Sequence, residues 1–274
     1  MEIRNLKNVP LSEVVNCITE SFADYFVPMP DDPAYWEQRF RAARVDFELS
    51  FGIFDETGRL KGFIINGIDE LNGIKTAFNS GTGVTSDVRG LKLVDKLYGH
   101  AIPLFREKGI RQCMLEVILQ NERAIHVYKR IGFNLSRKLH CFKGTLTPSG
   151  HEVRVEECPF GKIEKLAHAA DSFYSWDNTT AAVKAAGGHY RCYEVYDGDR
   201  YKGYFIINPA TGHLVQFETS HEDDLMALLD GIAEKAPTVR INNVDSSRQE
   251  VVAALLNRGL DNFIDQYEMQ MRLS

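Results

Sequence analysis

The stretch from Leu115 to Phe133, LEVILQNERAIHVYKRIGF, places a strand, a turn, a helix and a glycine stop within nineteen residues. Leu115-Glu116-Val117-Ile118-Leu119 is an apolar, β-branched run of strand length, cut off by Gln120-Asn121. Asn121 is a good helix N-cap. Behind it Ala124, Ile125, Tyr128 and Ile131 recur at helical spacing on one face, until Gly132 supplies the left-handed stop and Phe133 opens another apolar segment.

The order strand-Asn-x-x-Ala-Ile-x-x-Tyr-x-x-x-Gly-Phe resembles the second conserved segment of the GNAT (Gcn5-related) acyl-CoA N-acyltransferase superfamily. Asn121, Ala124, Tyr128, Gly132 and Phe133 all stand at the family's spacing. The resemblance implies an α/β (mixed α+β sheet) GNAT fold and direct transfer of an acetyl group from acetyl-CoA to a primary amine. It further implies that Asn121 holds the pantetheine arm and that Tyr128 protonates the departing sulfur.

Upstream, residues 10 to 44 read as two helices. Val14, Val15, Ile18 and Phe22 form one apolar face, Pro28, Pro30 and Pro33 break it, and Trp36 and Phe40 resume it. By resemblance these helices wall the acceptor cleft, with Phe22, Tyr25, Phe26 and Trp36 as candidate lining groups and Tyr25 and Phe26 as the substrate-binding candidates; aromatics at helical spacing are more often core, the reading favoured for Phe22 and Trp36. Phe47–Phe54 and Leu60–Ile68 form a hairpin around Asp55-Glu56-Thr57-Gly58, and a second turn at Asp69–Gly73 leads into Ile74–Val84, interrupted at Ser80-Gly81. The resemblance implies that backbone groups of Gly83, Val84 and Thr85 pair with the pantetheine arm.

The next segment, Thr85 to Val94, runs into a helix through Leu97, Ile102 and Phe105. A helix start offers unpaired N–H groups and the positive end of a dipole to a diphosphate. In the family this loop reads Gln/Arg-x-x-Gly-x-Gly/Ala. The implied cofactor-binding residues are therefore Arg89, Gly90, Leu91, Lys92, Leu93 and Val94. Arg89-Gly90 match the family's opening, whereas Lys92 replaces the central glycine and Val94 the Gly/Ala. A Cβ at Lys92 narrows the approach of a phosphate, while its ammonium offers a point charge. A general base is not identifiable: Ile74–Val84 contains no carboxylate, and Asp69, Glu70 and Glu116 are the nearest choices, with Glu116 expected to face solvent or a cation.

After Phe133, residues 134 to 144 alternate as closing strands, and Thr147-Pro148-Ser149-Gly150 marks a boundary. The expected domains are residues 1–146, a GNAT N-acetyltransferase domain, and 151–274, a degenerate GNAT-like domain in tandem. The second half repeats the plan: Lys202-Gly203-Tyr204-Phe205-Ile206-Ile207-Asn208 echoes Lys61-Gly62-Phe63-Ile64-Ile65-Asn66. Its chemistry is lost, for Leu255 stands opposite Tyr128 and the acidic run Glu218, Glu222, Asp223, Asp224 replaces the phosphate loop.

Net charge of −6 with dispersed Lys and Arg argues against nucleic-acid binding. No run approaches the roughly 20 apolar residues of a membrane span, and MEIRNLKNVPLSEVV lacks a signal-peptide core, so a cytoplasmic protein is expected. Five widely spaced cysteines and scattered histidines give no metal or redox motif. The expected partners are acetyl-CoA and an amine of a small molecule or peptide, with a homodimer as a possible assembly. The alternative is a non-catalytic acyl-CoA-binding or regulatory protein on the same scaffold.

Overall fold

A computed structural model describes residues 1–24, 28–150 and 152–273. The elements run β1 (Glu2–Asn5), α1 (Leu11–Ser21), α2 (Pro33–Ala42), β2 (Phe51–Phe54), β3 (Leu60–Leu71), β4 (Ile74–Val84), α3 (Leu93–Glu107), β5 (Gln112–Ile118) and α4 (Glu122–Ile131). Then follow β6 (Asn134–Thr145), β7 (Arg154–Cys158), α5 (Phe160–Ala170), α6 (Thr180–Ala185), β8 (Arg191–Asp197), β9 (Arg200–Asn208) and β10 (His213–Thr219). The last four are α7 (Leu225–Lys235), β11 (Thr238–Asp245), α8 (Gln249–Asn257) and β12 (Asp261–Arg272). The chain divides into two compact units, Met1–Ser136 with Glu268–Ser274, and Arg137–Tyr267.

In unit 1 the strands lie in the order β1-β2-β3-β4-β5, with the C-terminal end of β12 beside β5. The first four pair antiparallel and β4 pairs parallel with β5, because α3 crosses between them. Helix α1 lays Val14, Val15 and Ile18 on β3 and β4, and Trp36 and Phe40 of α2 join them with Leu60, Phe63 and Ile65 in one buried cluster. Helix α2 begins where Pro33 occupies the first helical turn and Asp32 caps Ala34 N–H at 2.9 Å. Helix α3 covers β2, β3 and β4 with Leu97, Tyr98, Ala101 and Phe105.

In unit 2 the order is β12-β6-β11-β10-β9-β8-β7, with β10 and β11 the parallel pair. Helix α7 packs Leu228, Leu229 and Ile232 on β8, β9 and β10, over a core that includes Phe205, Ile207, Leu214 and Leu255. The units divide at Ser136/Arg137, within β6, whose residues Leu139 to Thr145 pair with β11.

Candidate active site

Strands β4 and β5 stay paired from Thr76↔Gln112 to Asn79↔Leu115 and then part, although β4 runs on to Val84 and β5 to Ile118. The cause is local to β4. Opposite β3 the register slips by one between Ile65↔Gly81 and Asn66↔Asn79, so Ser80 is the extra residue of a β-bulge that bends the strand. Asn79 fixes the bulge: its carbonyl accepts Gly81 N–H at 2.9 Å, and its amide donates to the hydroxyls of Thr82 and Tyr98. The interruption read at Ser80-Gly81 is thus the hinge of the gap.

Thr85 N–H donates to Lys61 carbonyl at 2.9 Å. Ladder alternation then turns the backbone groups of Gly83 and Thr85 to β3, and those of Thr82 and Val84 into the gap. Of the three expected arm-binding residues, Val84 faces the gap through its backbone, as does Thr82, which sequence reasoning did not single out. Gly83 has a different reason to be glycine, since a Cβ there would meet Ser21 Cβ at 2.8 Å and the Phe63 ring at 2.9 Å.

A cleft of about 200 Å³ opens at the gap. Asn79, Ser80, Gly81 and Thr82 line it from β4, Leu115, Glu116 and Val117 from β5, and Asn121, Ala124 and Tyr128 from α4. The motif residues Asn121 and Tyr128 therefore line the same cleft as Glu116, which is half-buried in its wall. Asn121 caps α4, its side-chain oxygen accepting Ala124 N–H at 3.1 Å. Tyr128 is buried, its ring set edge-on to Phe133 at 5.8 Å and Tyr98 at 6.5 Å. Burial drives the Tyr98 hydroxyl far above its ordinary range, so it stays protonated. The Ser80 hydroxyl is buried and has no hydrogen-bond partner among the described residues.

The remaining carboxylates considered lie elsewhere: Asp69 pairs with Arg44 at 2.9 Å, and Glu70 lies at the far end of the β3–β4 hairpin, opposite Lys75. Tyr25 and Phe26 lie outside the described residues. A larger hollow of about 490 Å³, lined by Leu6, Phe40, Arg44 and Phe47 among others, holds none of the motif residues. Among the described residues no group of His, Cys, Asp or Glu is placed to hold a metal ion.

At the loop before α3, Arg89 turns its guanidinium onto Asp24, at 2.6 and 2.7 Å, and onto the Ser21 carbonyl at 2.9 Å. Those hydrogen bonds hold the Asp24 carboxyl down at about 2. Its side chain thus staples the loop to the end of α1. Gly90 takes φ +86° with open space where a Cβ would be, so its constraint is the backbone angle. Lys92, at the family's glycine position, keeps glycine's conformation at φ +53° and is the N-cap of α3. It is exposed and makes no ion pair among the described residues. Leu91 is exposed, Leu93 buried and Val94 half-buried. Asp95, in the first turn, is neutralised by Arg130 at 2.6 and 2.8 Å, which leaves the helix start with positive character.

Unit 2 repeats this geometry with a different content. Pairing of β10 with β11 stops at Leu214↔Ile241, and Val215 is the bulge residue, as Ser80 is in β4. Gly203↔Thr219 matches Gly62↔Val84, so Phe217 is the counterpart of Thr82. There the Tyr174 hydroxyl takes Phe217 N–H at 2.9 Å and stands 2.9 Å from the Phe217 carbonyl. Asn178 donates to the Asn242 carbonyl at 2.8 Å and accepts from Gln216 at 2.7 Å, so residues 174–178 bridge both sides of the gap. Arg248, at the start of α8, is engaged by Glu218 through two bonds of 2.9 Å.

A parting pair of parallel strands beside a capped helix, with a tyrosine in the cleft, defines the GNAT class of acyltransferase scaffold. Residues 15–133 match the model of the Acetyltransferase (GNAT) family, and this part of the chain is a GNAT-family domain. A GCN5-related N-acetyltransferase from Sphaerobacter thermophilus is similar over 99% of this chain and 95% of its own, at TM-score 0.71 and 9% identity. A tandem GNAT protein from the clavulanic acid biosynthesis pathway is similar over 100% and 98%, at 0.69 and 15%. A GCN5-related N-acetyltransferase from Anabaena variabilis is similar over 100% and 73%, at 0.66 and 13%. The fold is therefore that of a tandem GNAT protein. Curated proteins give no match to the chain.

Proposed function

We propose that unit 1 is an N-acetyltransferase that moves an acetyl group from acetyl-CoA directly to a primary amine. The observation that carries the reading is the meeting of Glu116, Ser80, Asn121 and Tyr128 in one cleft at the β4–β5 gap. Acetyl-CoA supplies the activated acyl group and a thiolate leaving group. The outward backbone groups of Thr82 and Val84 fit an extended amide-bearing arm, as an added strand would. The first-turn N–H groups of α3 and the Lys92 ammonium fit the diphosphate.

Glu116 takes the proton from the incoming ammonium, so that the amine presents its lone pair. Tyr128 delivers its phenolic proton to the sulfur. Ser80, with its hydroxyl otherwise unpartnered, donates to the thioester oxygen and adds to the polarisation. No covalent bond to the protein is needed, because the cleft holds amine and thioester side by side.

Tyr128→Phe and Glu116→Gln test this. Each should lower turnover by at least about 10²-fold, the lower range for a positioned acid or base. Acetyl-CoA affinity, read by calorimetry, should survive in both. Unchanged turnover removes the residue from its role. The alternative, an acyl-CoA-binding protein without transfer, draws on the Cβ that Lys92 adds at a glycine position, and tight acetyl-CoA binding with no acylation of any amine would favour it. Unit 2 on this reading takes no acyl-CoA, since Tyr174 occupies the backbone groups an arm would use and Leu255 stands in place of Tyr128.

A further inference from the structure

The cleft has two unlike halves. Its floor, from β4, β5 and α4, carries the polar groups described above. Its opposite wall is built by Phe22, Trp36, Phe40 and Phe63, with Ile18, Ile65 and Met29 filling between them. The Phe22 and Phe63 rings stand 6.4 Å apart and the Trp36 and Phe40 rings 5.4 Å apart, so the wall is a lattice of aromatic faces. The indole N–H of Trp36 is already spent on the Pro30 carbonyl at 2.7 Å. Phe22 and Met29 are half-buried where the other five are buried, so this side offers an incoming molecule carbon surface at Phe22 and Met29.

Hydrogen-bonding capacity on the floor is also largely committed. Both amide protons and the carbonyl of Asn79 are engaged by Thr82, Tyr98 and Gly81, and the Asn121 oxygen caps α4. Glu116 is the sole charged side chain among the described residues lining the cleft, and no Lys or Arg stands with it. A carboxylate entering this space would meet no cation and would lose its hydration uncompensated. A second ammonium would lack a second carboxylate, and a polyhydroxylated ring would leave most of its hydroxyls unpaired. The volume, about 200 Å³, is below the roughly 300–1,000 Å³ of drug-sized sites, which limits the body of the acceptor.

We propose that the acceptor of unit 1 is a small monoamine on an apolar, preferentially aromatic body, such as an arylalkylamine, without a carboxylate or a second charge. This rests on the reading of unit 1 as an amine acetyltransferase. The ammonium sits at Glu116, and the body lies against Phe22 and Met29, the half-buried part of the wall. Specificity comes from exclusion: acceptors with further polar groups strand them against the aromatic wall.

The experiment uses the full chain with acetyl-CoA and reads released thiol. The acceptors are 2-phenylethylamine, phenylalanine, spermidine, glucosamine and a hexapeptide with an apolar first residue. 2-Phenylethylamine and phenylalanine differ by the carboxylate alone, and kcat/KM should favour the former at least tenfold. Met29→Arg, which places a cation at the half-buried rim, should narrow that ratio. Preference for phenylalanine, spermidine, glucosamine or the peptide overturns the proposal and leaves the transferase reading intact. If no acceptor is turned over, 2-phenylethylamine and phenylalanine are titrated calorimetrically into the CoA-loaded protein. Saturable binding of the amine, tenfold tighter than the amino acid, upholds the acceptor class while the transfer reading fails; no binding of the amine overturns the class.

Discussion

Asn79→Ala separates the bulge from the rest of unit 1. The side chain makes three hydrogen bonds in a site where Asn79 and Tyr98 are both buried. At about 1 kcal/mol net for each bond, their loss amounts to about 3 kcal/mol. Tyr98→Phe alone should cost about 1 kcal/mol, since it removes one bond and leaves one amide proton unpaired. The two changes share a bond, so the double variant should fall short of additivity by about 1 kcal/mol. Urea unfolding followed by hydrogen exchange in the β4 peptide isolates unit 1 and gives these values. Acetyl-CoA affinity should drop at least tenfold with Asn79→Ala, because the bulge aims Ser80 and the backbone of Thr82. A stability loss below about 1 kcal/mol, or additive double-variant costs, would mean that the strand bends without Asn79 and that the argument from its hydrogen bonds is wrong.

Lys92→Gly should stabilise the protein by about 0.5–1 kcal/mol, the left-handed penalty of a side chain less the extra freedom glycine brings to the unfolded chain. The same change should weaken acetyl-CoA binding several-fold at low salt and little at 1 M salt, where the ammonium's field is screened; tighter binding would show that the Cβ obstructs the diphosphate. Burial pushes the Cys17 and Cys113 thiols up to about 12, and all five cysteines are buried. At pH 8 about one thiol in 10⁴ at those two positions is ionised, so a disulfide reagent should label the native protein only as fast as it unfolds; rapid labelling of either would contradict the packing around α1 or β5. Calorimetry should count one acetyl-CoA per chain, and a second site would refute the closed gap of unit 2.

Legibility follows sequence distance. The Asn121 cap, the apolar face of α4 and the Gly132 stop all act within a few residues of one another, so one window displays the whole motif. The gap is set by pairing between Asn79 and Leu115, and by its failure one residue later, which no local window contains. For the same reason a local window does not show that Glu116 lines the cleft that opens there. Arg89 reads as a phosphate ligand by its place in the loop, while the partner that takes its side chain, Asp24, is 65 residues back in the chain. Edge strands β1 and β7 are four and five residues of largely charged chain, too short for alternation to stand out. The end of β12 belongs with unit 1, where Leu273 N–H donates to the Arg111 carbonyl at 2.8 Å, a pairing with no trace in either segment.

The two halves satisfy the same backbone gap in different ways. Both keep the glycine opposite the end of the central strand, both place one extra residue in that strand, and in both the parallel pairing stops one residue before the bulge. Such a gap exposes backbone donors and acceptors that need partners from somewhere. In unit 2 the chain supplies them itself: the Tyr174 hydroxyl pairs with the Phe217 backbone, the Asn178 amide donates to the Asn242 carbonyl, and Arg248 closes on Glu218. In unit 1 a tyrosine and a carboxylate line the gap, and the bulge residue is a serine whose hydroxyl has no partner among the described residues. A gap filled from within is a stable end state that gains nothing from a ligand. On the proposed function the gap of unit 1 is filled instead by an extended amide chain, whose pairing with the outward backbone groups of Thr82 and Val84 would stabilise the unit on binding.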